Sequence, residues 1–262
     1  RSQKMLKDFP KSGYLYNIQG ATFAGLGKLD EAVEAFKNAL KIMPEDAEVY
    51  NNLGNVLQKQ KKHEEALKAY DKALLIEPIA EVHKNKGNTL NKIGRYEEAI
   101  SSYDQALKIK PDYFEALNNR GVTQKYKFNL IEALRDYKKA LHIKPDYAEA
   151  HNNMGNALRT LGMQEKAINA YKKAIKINPN YAEAYNNMGN ALNDKGKLED
   201  ALEAYNKALI IKPDYYSAYS SALHAKANMC EWNEVDRSFV NNYLSLSLSS
   251  LLNHPMLPFQ FL

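Results

Sequence analysis

Small, apolar and polar residues return along this chain at a fixed interval, and the return predicts paired helices. The stretch Ala148 to Tyr181 reads as a helix, a turn and a second helix closed by Pro179, and Asn-Asn-Met-Gly-Asn at its start recurs from Asn186 to Asn190. Closing prolines fall at Pro10, Pro44, Pro78, Pro111, Pro145, Pro179 and Pro213, every step being 34 residues except a step of 33 after Pro78. A fixed period of about 20 to 50 residues marks a stack of repeats, each leaning on its neighbours. With the proline numbered 32, six units begin at Gly13, Ala47, Ala80, Phe114, Ala148 and Ala182.

The phases then separate a buried side from an open one. Position 8 is Gly20, Gly54, Gly87, Gly121, Gly155 and Gly189, and position 20 is Ala32, Ala66, Ala99, Ala133, Ala167 and Ala201. Glycine costs about 1 kcal/mol against alanine within a helix, so its return at one place predicts a close approach of the paired helices. Position 24 carries Phe36, Tyr70, Tyr103, Tyr137, Tyr171 and Tyr205, at core phase, and the rings are expected to fill the space the small residues leave. Position 15 is glycine in four units, as a left-handed helix end requires. Lys61 and Phe128 stand there in the second and fourth units and are expected to end the first helix differently.

On the first helix, 100° per residue turns positions 4, 7, 8 and 11 to one side and positions 2, 5, 6, 9 and 13 to the other. The second set is mostly asparagine. Position 6 is Asn52, Asn85, Asn119, Asn153 and Asn187; position 9 is Asn55, Asn88, Asn156 and Asn190; position 5 is Asn17, Asn51, Asn118, Asn152 and Asn186. Fourteen of the 27 asparagines occupy these three positions, which uniform compositional bias does not produce. Asparagine is a poor helix former because its side chain competes for backbone hydrogen bonds, so its repetition mid-helix points to use of the amide. A primary amide both donates and accepts, and a row of them is suited to hold an extended peptide by its backbone. Position 2 adds Glu48, Glu81, Glu115, Glu149 and Glu183 at the rim.

Net charge changes this picture little. The chain carries +5 with a pI near 8.9, but pairs such as Lys138-Lys139 and Lys172-Lys173 lie on second helices among glutamates, as on a solvated helical face. With the glutamates of position 2, this argues against nucleic acid as partner. No apolar run is long enough to span a membrane. A single cysteine, Cys230, and no leader-like start suggest a reducing compartment, cytosol or nucleus. The histidines show no metal-ligand spacing, and Gly25-Leu26-Gly27 is a helix turn rather than a phosphate loop. No cofactor, metal or small-molecule substrate is expected.

Over Gly13 to Tyr215 these positions resemble the tetratricopeptide repeat (TPR) family. That likeness implies an all-α fold, a right-handed α-solenoid whose first helices line a concave groove. The AEAxNNxGNAL flavour is similar to the repeat region of O-linked N-acetylglucosamine transferases and related TPR glycosyltransferases. There it implies an asparagine ladder gripping substrate and adaptor backbones, carried here by Asn52, Asn85, Asn119, Asn153 and Asn187, with Asn55, Asn88, Asn156 and Asn190 beside them. Ile18 and Ser221 depart from the ladder, which is expected to stop there. Cys230-Glu231-Trp232 followed by Pro258-Phe259 resembles the linker before the catalytic domain of those enzymes. The carboxylate clamp of cochaperone repeats is matched by Lys84, Asn88 and Asn119 but reversed at Glu149 and Asn153, and is rejected.

The expected organisation is a partial repeat at 1–12, six repeats at 13–215, a degenerate capping helix pair at 216–243 and a linker-like tail at 244–262. The expected function is a protein-interaction scaffold binding extended segments in the asparagine-lined groove, as the recognition region of a TPR glycosyltransferase-like protein. The competing reading is an architectural subunit holding a partner helix or tail in a large assembly. No transferase activity is expected from this chain.

Overall fold

The computed structural model describes residues 12–229. The partial repeat at 1–12, the second half of the capping pair, the Cys230 to Trp232 motif and the tail lie outside the described residues, apart from Ser12. Every described element is an α-helix: α1 (Gly13–Gly25), α2 (Leu29–Ile42), α3 (Ala47–Lys59), α4 (His63–Ile76), α5 (Ala80–Lys92), α6 (Tyr96–Ile109), α7 (Phe114–Tyr126), α8 (Leu130–Ile143), α9 (Ala148–Thr160), α10 (Gln164–Ile177), α11 (Ala182–Asn193), α12 (Leu198–Ile211) and α13 (Tyr216–Asn228). Odd-numbered helices are the first of each pair and even-numbered helices the second. The chain forms two compact units, Arg1–Pro145 and Asp146–Leu262.

In both units each first helix packs along the second helix of its own pair, and each second helix packs on the next first helix. Successive first helices also touch one another, while successive second helices stay farther apart. The first helices therefore line the inner side of each unit.

The core follows the repeat phase. All six position 20 alanines are fully buried, and Phe36, Tyr70, Tyr103, Tyr137, Tyr171 and Tyr205 are buried beside them. What sets the position 8 glycines is the ring of the same pair: a Cβ built on Gly155 would stand 2.5 Å from Cε1 of Tyr171, and one on Gly189 2.5 Å from Cε1 of Tyr205. The first helix thus approaches the second as closely as an aromatic edge allows. Ala167 has no space around it, so Ala167→Leu is expected to cost about 1 to 3 kcal/mol by overpacking. Urea denaturation reads this; an unchanged midpoint would show that the site has room for the larger side chain despite its burial.

The turns within pairs correct one expectation. Lys61 (φ 63°) and Phe128 (φ 60°) adopt the same left-handed conformation as Gly27, Gly94, Gly162 and Gly196. The reason is the shared hydrogen-bond closure. Lys62 N–H donates to the Leu57 carbonyl at 2.9 Å and Asn129 N–H to that of Gln124 at 2.9 Å, as Arg95 N–H does to Leu90 at 2.9 Å in a glycine-bearing turn. These bonds satisfy carbonyls that the helix end leaves open, and they hold whichever residue stands at position 15. A left-handed non-glycine residue costs about 1 to 2 kcal/mol, partly offset by the greater freedom glycine loses on folding. Phe128→Gly is expected to raise stability by about 0.5 to 1 kcal/mol, read as a higher thermal midpoint. A lower midpoint would mean the ring makes contacts that outweigh the strain.

Between pairs, the 33-residue step shows as a three-residue connection, Glu77 to Ile79, where the other repeats have four. This is the tighter join expected from the missing residue.

Candidate functional site

The asparagines divide by position, and each position does something different. At position 9 the carbonyl oxygen faces inward. Tyr70, Tyr103, Tyr171 and Tyr205 donate their hydroxyls to Oδ1 of Asn55, Asn88, Asn156 and Asn190 at 2.8, 2.8, 2.8 and 2.9 Å. Burial raises the pKa of each of these phenols, so they remain protonated donors. A buried hydroxyl without an acceptor costs about 1 to 3 kcal/mol, and the position 9 amide removes that cost. The first repeat carries Phe36 with Ala21 at position 9, so where the hydroxyl is absent the amide is absent too.

Positions 5 and 6 form rungs between repeats. Asn52 Nδ2 donates to Asn17 Oδ1 at 3.2 Å, Asn85 Nδ2 to Asn51 Oδ1 at 3.1 Å, and in the second unit Asn187 Nδ2 to Asn152 Oδ1 at 3.0 Å. Each rung runs from position 6 of one repeat to position 5 of the repeat before it. The third repeat has Lys84 at position 5, and there Asn119 Nδ2 turns to Asn88 Oδ1 at 2.8 Å. Asn119 Oδ1 in turn accepts from Asn118 Nδ2 at 3.3 Å.

This corrects the assignment of position 5 to the open side. Asn51, Asn118, Asn152 and Asn186 are buried, Asn118 fully so. In an isolated pair the first helix has one packed side, but in a stack it also meets the first helices before and after it, and position 5 lies in that seam. Asn52, Asn119, Asn153 and Asn187 are half-buried and Asn85 is just buried. Asn52, Asn85 and Asn187 each use one amide hydrogen in a rung, which leaves one N–H and the carbonyl oxygen. At position 9 the NH₂ group remains.

A second line of rungs, which the sequence reading missed, joins position 12 to position 10 of the next repeat. Gln58 Nε2 donates to Thr89 Oγ1 at 2.7 Å, and Thr123 Oγ1 donates to Asn91 Oδ1 at 3.0 Å. Thr89 and Thr123 are fully buried, and each also donates to or shares hydrogen with a carbonyl one turn back, Asn85 and Asn119 respectively. In the second unit Arg159 at position 12 donates from Nε to Asp194 Oδ2 at 2.6 Å. The signal was partial: both described threonines that follow Gln58 or Asn91 at position 12 take these rungs, but Thr22 stands at the same position 10 in the first repeat and bonds within its own helix.

Ile18 is 55% exposed at position 6 of the first repeat. On α13 Ser221 takes that position, and the buried Asn186 Oδ1 that a further rung would use accepts no hydrogen bond among the described residues. The rim carboxylates Glu48, Glu81, Glu149 and Glu183 are exposed and Glu115 half-exposed. Among the described residues no group of three or more His, Cys, Asp or Glu could hold a metal ion, and no helix is long and apolar enough to cross a membrane.

One further cluster stands on the helix pair α7 and α8. Arg120 at position 7 donates from Nε and Nη2 to Asp136 at 2.8 and 2.5 Å and from Nη1 to Asp104 at 2.5 Å. Asp136 is buried. Repeats five and six have Met154 with Ala170 and Met188 with Ala204 at these two positions.

Family patterns described as TPR repeat match residues 20–61, 87–125, 129–162 and 155–193, and patterns described as tetratricopeptide repeat match 47–78 and 182–215. The chain belongs to the tetratricopeptide repeat family. No curated protein matches it. Among solved structures, the TPR protein YrrB, described as having an unusual peptide-binding site, is 30% identical with a TM-score of 0.57, covering 74% of this chain and 99% of its own. The APC/C hetero-tetramer Cut9-Hcn1 is 19% identical with a TM-score of 0.73 over 86% of this chain. This TPR chain spans 44% of that one. PilF of Pseudomonas aeruginosa is 19% identical with a TM-score of 0.68, covering 79% of this chain and 95% of its own. The last two likenesses establish the shared TPR fold.

Proposed function

We propose that this TPR chain is a protein-interaction scaffold that grips extended peptide segments along the inner, first-helix side of its repeats. The observation that carries the reading is the state of the position 6 amides. Rungs hold Asn52, Asn85 and Asn187 at one hydrogen each, so their orientation is set before a partner arrives, and the other N–H and the oxygen keep the pairing a peptide backbone needs. Asn119 and Asn153 stand at the same position. Preorganised amides lose less freedom on binding than mobile ones. The peptide-binding site named for YrrB supports the same use of a related stack. The AEAxNNxGNAL pattern supports a narrower setting, recognition of substrates or adaptors for a TPR glycosyltransferase-like chain.

The test replaces Asn52, Asn153 and Asn187 together by alanine. Each amide offers up to two hydrogen bonds to a backbone at about 0.5 to 1.5 kcal/mol, so affinity for several unrelated extended peptides should fall together by about tenfold or more. On sequence alone alanine promises firmer helices, but the rungs reverse that expectation. The variant strands the Oδ1 atoms of Asn17 and Asn152 and should lose about 1 to 3 kcal/mol of stability. Titrations are therefore run well below the melting point of both proteins. Peptides bound as tightly by the variant as by the parent would remove the inner face as the binding site.

A further inference from the structure

The second-helix side carries a feature that the inner face does not use. On α8, positions 22, 25, 26 and 29 are Arg135, Lys138, Lys139 and His142, and with Pro111, Leu117 and Ile143 they line an open hollow of about 520 Å³. No carboxylate lines it. The same four positions carry Glu34 in the first repeat, Asp71 in the second, Asp104 in the third, Asn169 in the fifth and Glu203 in the sixth. Only the fourth repeat is basic at all four.

The pairing of the other cations sharpens the contrast. Of the arginines among the described residues, Arg95, Arg120 and Arg159 are held by carboxylates. Arg135 is not, although Glu132 stands one turn before it on the same helix, and none of Lys138, Lys139 and His142 is in an ion pair among the described residues. Like charges crowded on one helix face repel each other and reduce stability, and among the described residues no carboxylate is ion-paired with them.

We propose that this hollow is a docking site for an acidic peptide segment that seats one apolar side chain among Pro111, Leu117 and Ile143 and sets carboxylates against Arg135, Lys138, Lys139 and His142. Charge complementarity selects an acidic partner. The apolar floor selects a peptide over a nucleic acid, because a phosphate backbone calls for a stripe of cations and gains nothing from a leucine-sized recess. The stripe is lacking within the unit: the third repeat presents Ser101, Asp104, Gln105 and Lys108 at these positions. The site lies on second-helix residues and does not depend on the asparagine face.

The test titrates the full chain into a fluorescent peptide whose aspartates and glutamates flank a single leucine, following anisotropy at low and moderate salt. A twin peptide with serine for the leucine reports the floor, and a labelled single-stranded oligonucleotide of equal charge reports a phosphate preference. Arg135→Glu combined with Lys139→Glu changes only exposed side chains, and circular dichroism checks that the helices persist. The leucine peptide should bind more tightly than its serine twin and weaken as salt rises. The charge-reversed chain should bind it at least about tenfold more weakly, while the alanine variant of Asn52, Asn153 and Asn187 binds it as the parent does. Equal binding by the charge-reversed chain, no binding by the parent, or tighter binding of the oligonucleotide each overturns the proposal. Loss in the asparagine variant alone would move the acidic peptide to the inner face and overturn it equally.

Discussion

Arg120→Ala should destabilise the first unit by about 3 to 5 kcal/mol, because it leaves the carboxylate of Asp136 buried without its cation. Asp136 has the guanidinium as its charge partner, through two hydrogen bonds, whereas Asp104 is 45% exposed at its side chain and can return to water. The pair itself adds little, since taking two charges out of water offsets most of their attraction. Arg120→Met with Asp136→Ala reproduces what repeats five and six carry at these positions, Met154 with Ala170 and Met188 with Ala204. That double variant should lie within about 1 kcal/mol of the parent or above it, since a well-packed apolar pair often equals a buried ion pair. Guanidinium denaturation of the three proteins decides the matter. If Arg120→Ala and the double variant are equally stable, Asp136 is not trapped.

The second unit offers the matching experiment on packing. Tyr171→Ala should cost about 3 to 5 kcal/mol, because it removes a fully buried ring and opens a cavity beside Gly155. Small residues surround much of it: Gly155 faces it from the first helix, and Ala170 and Ala174 flank it on the helix of Tyr171. Tyr171→Phe keeps the ring and removes only the hydroxyl bonded to Asn156, and should cost about 0.5 to 1.5 kcal/mol. Adding Asn156→Ala to Tyr171→Phe copies the Phe36 and Ala21 arrangement of the first repeat and should cost little more than Tyr171→Phe alone. Hydrogen exchange in α9 and α10 is the measurement, since a repeat stack opens locally. Equal protection in the alanine and phenylalanine variants would mean that the ring does not hold the helix pair together.

How far the sequence could be read depended on whether a residue answers to its own repeat or to the next. Gly155, Ala167 and Tyr171 all pack within one helix pair, and their common phase was enough to place them. Lys61 and Phe128 were misread because residue type was taken to decide the turn, whereas backbone hydrogen bonding decides it and the residue bears the strain. Asn51 and Asn152 were misplaced because a helical wheel knows only one helix. Their partners, Asn85 and Asn187, lie 34 and 35 residues away, a separation that appears once adjacent repeats are written side by side. The link from Tyr171 to Asn156 was only partly visible: Asn at position 9 is missing from the repeat that has Phe36, but Val122 also replaces it in the fourth repeat, which keeps Tyr137.

The rungs also have a direction. In the asparagine rungs from Asn52, Asn85, Asn119 and Asn187 the later repeat gives the hydrogen and the earlier repeat receives it at position 5 or 9, so this contact is head-to-tail and cannot close on itself as a two-fold contact would. An open interface of this kind admits further copies at either end without altering any existing bond, which allows such an array to lengthen by duplication of whole repeats. Ile18 has no amide hydrogen to give and Ser221 lacks the amide that would engage Asn186, so the position 6 asparagines run from Asn52 to Asn187.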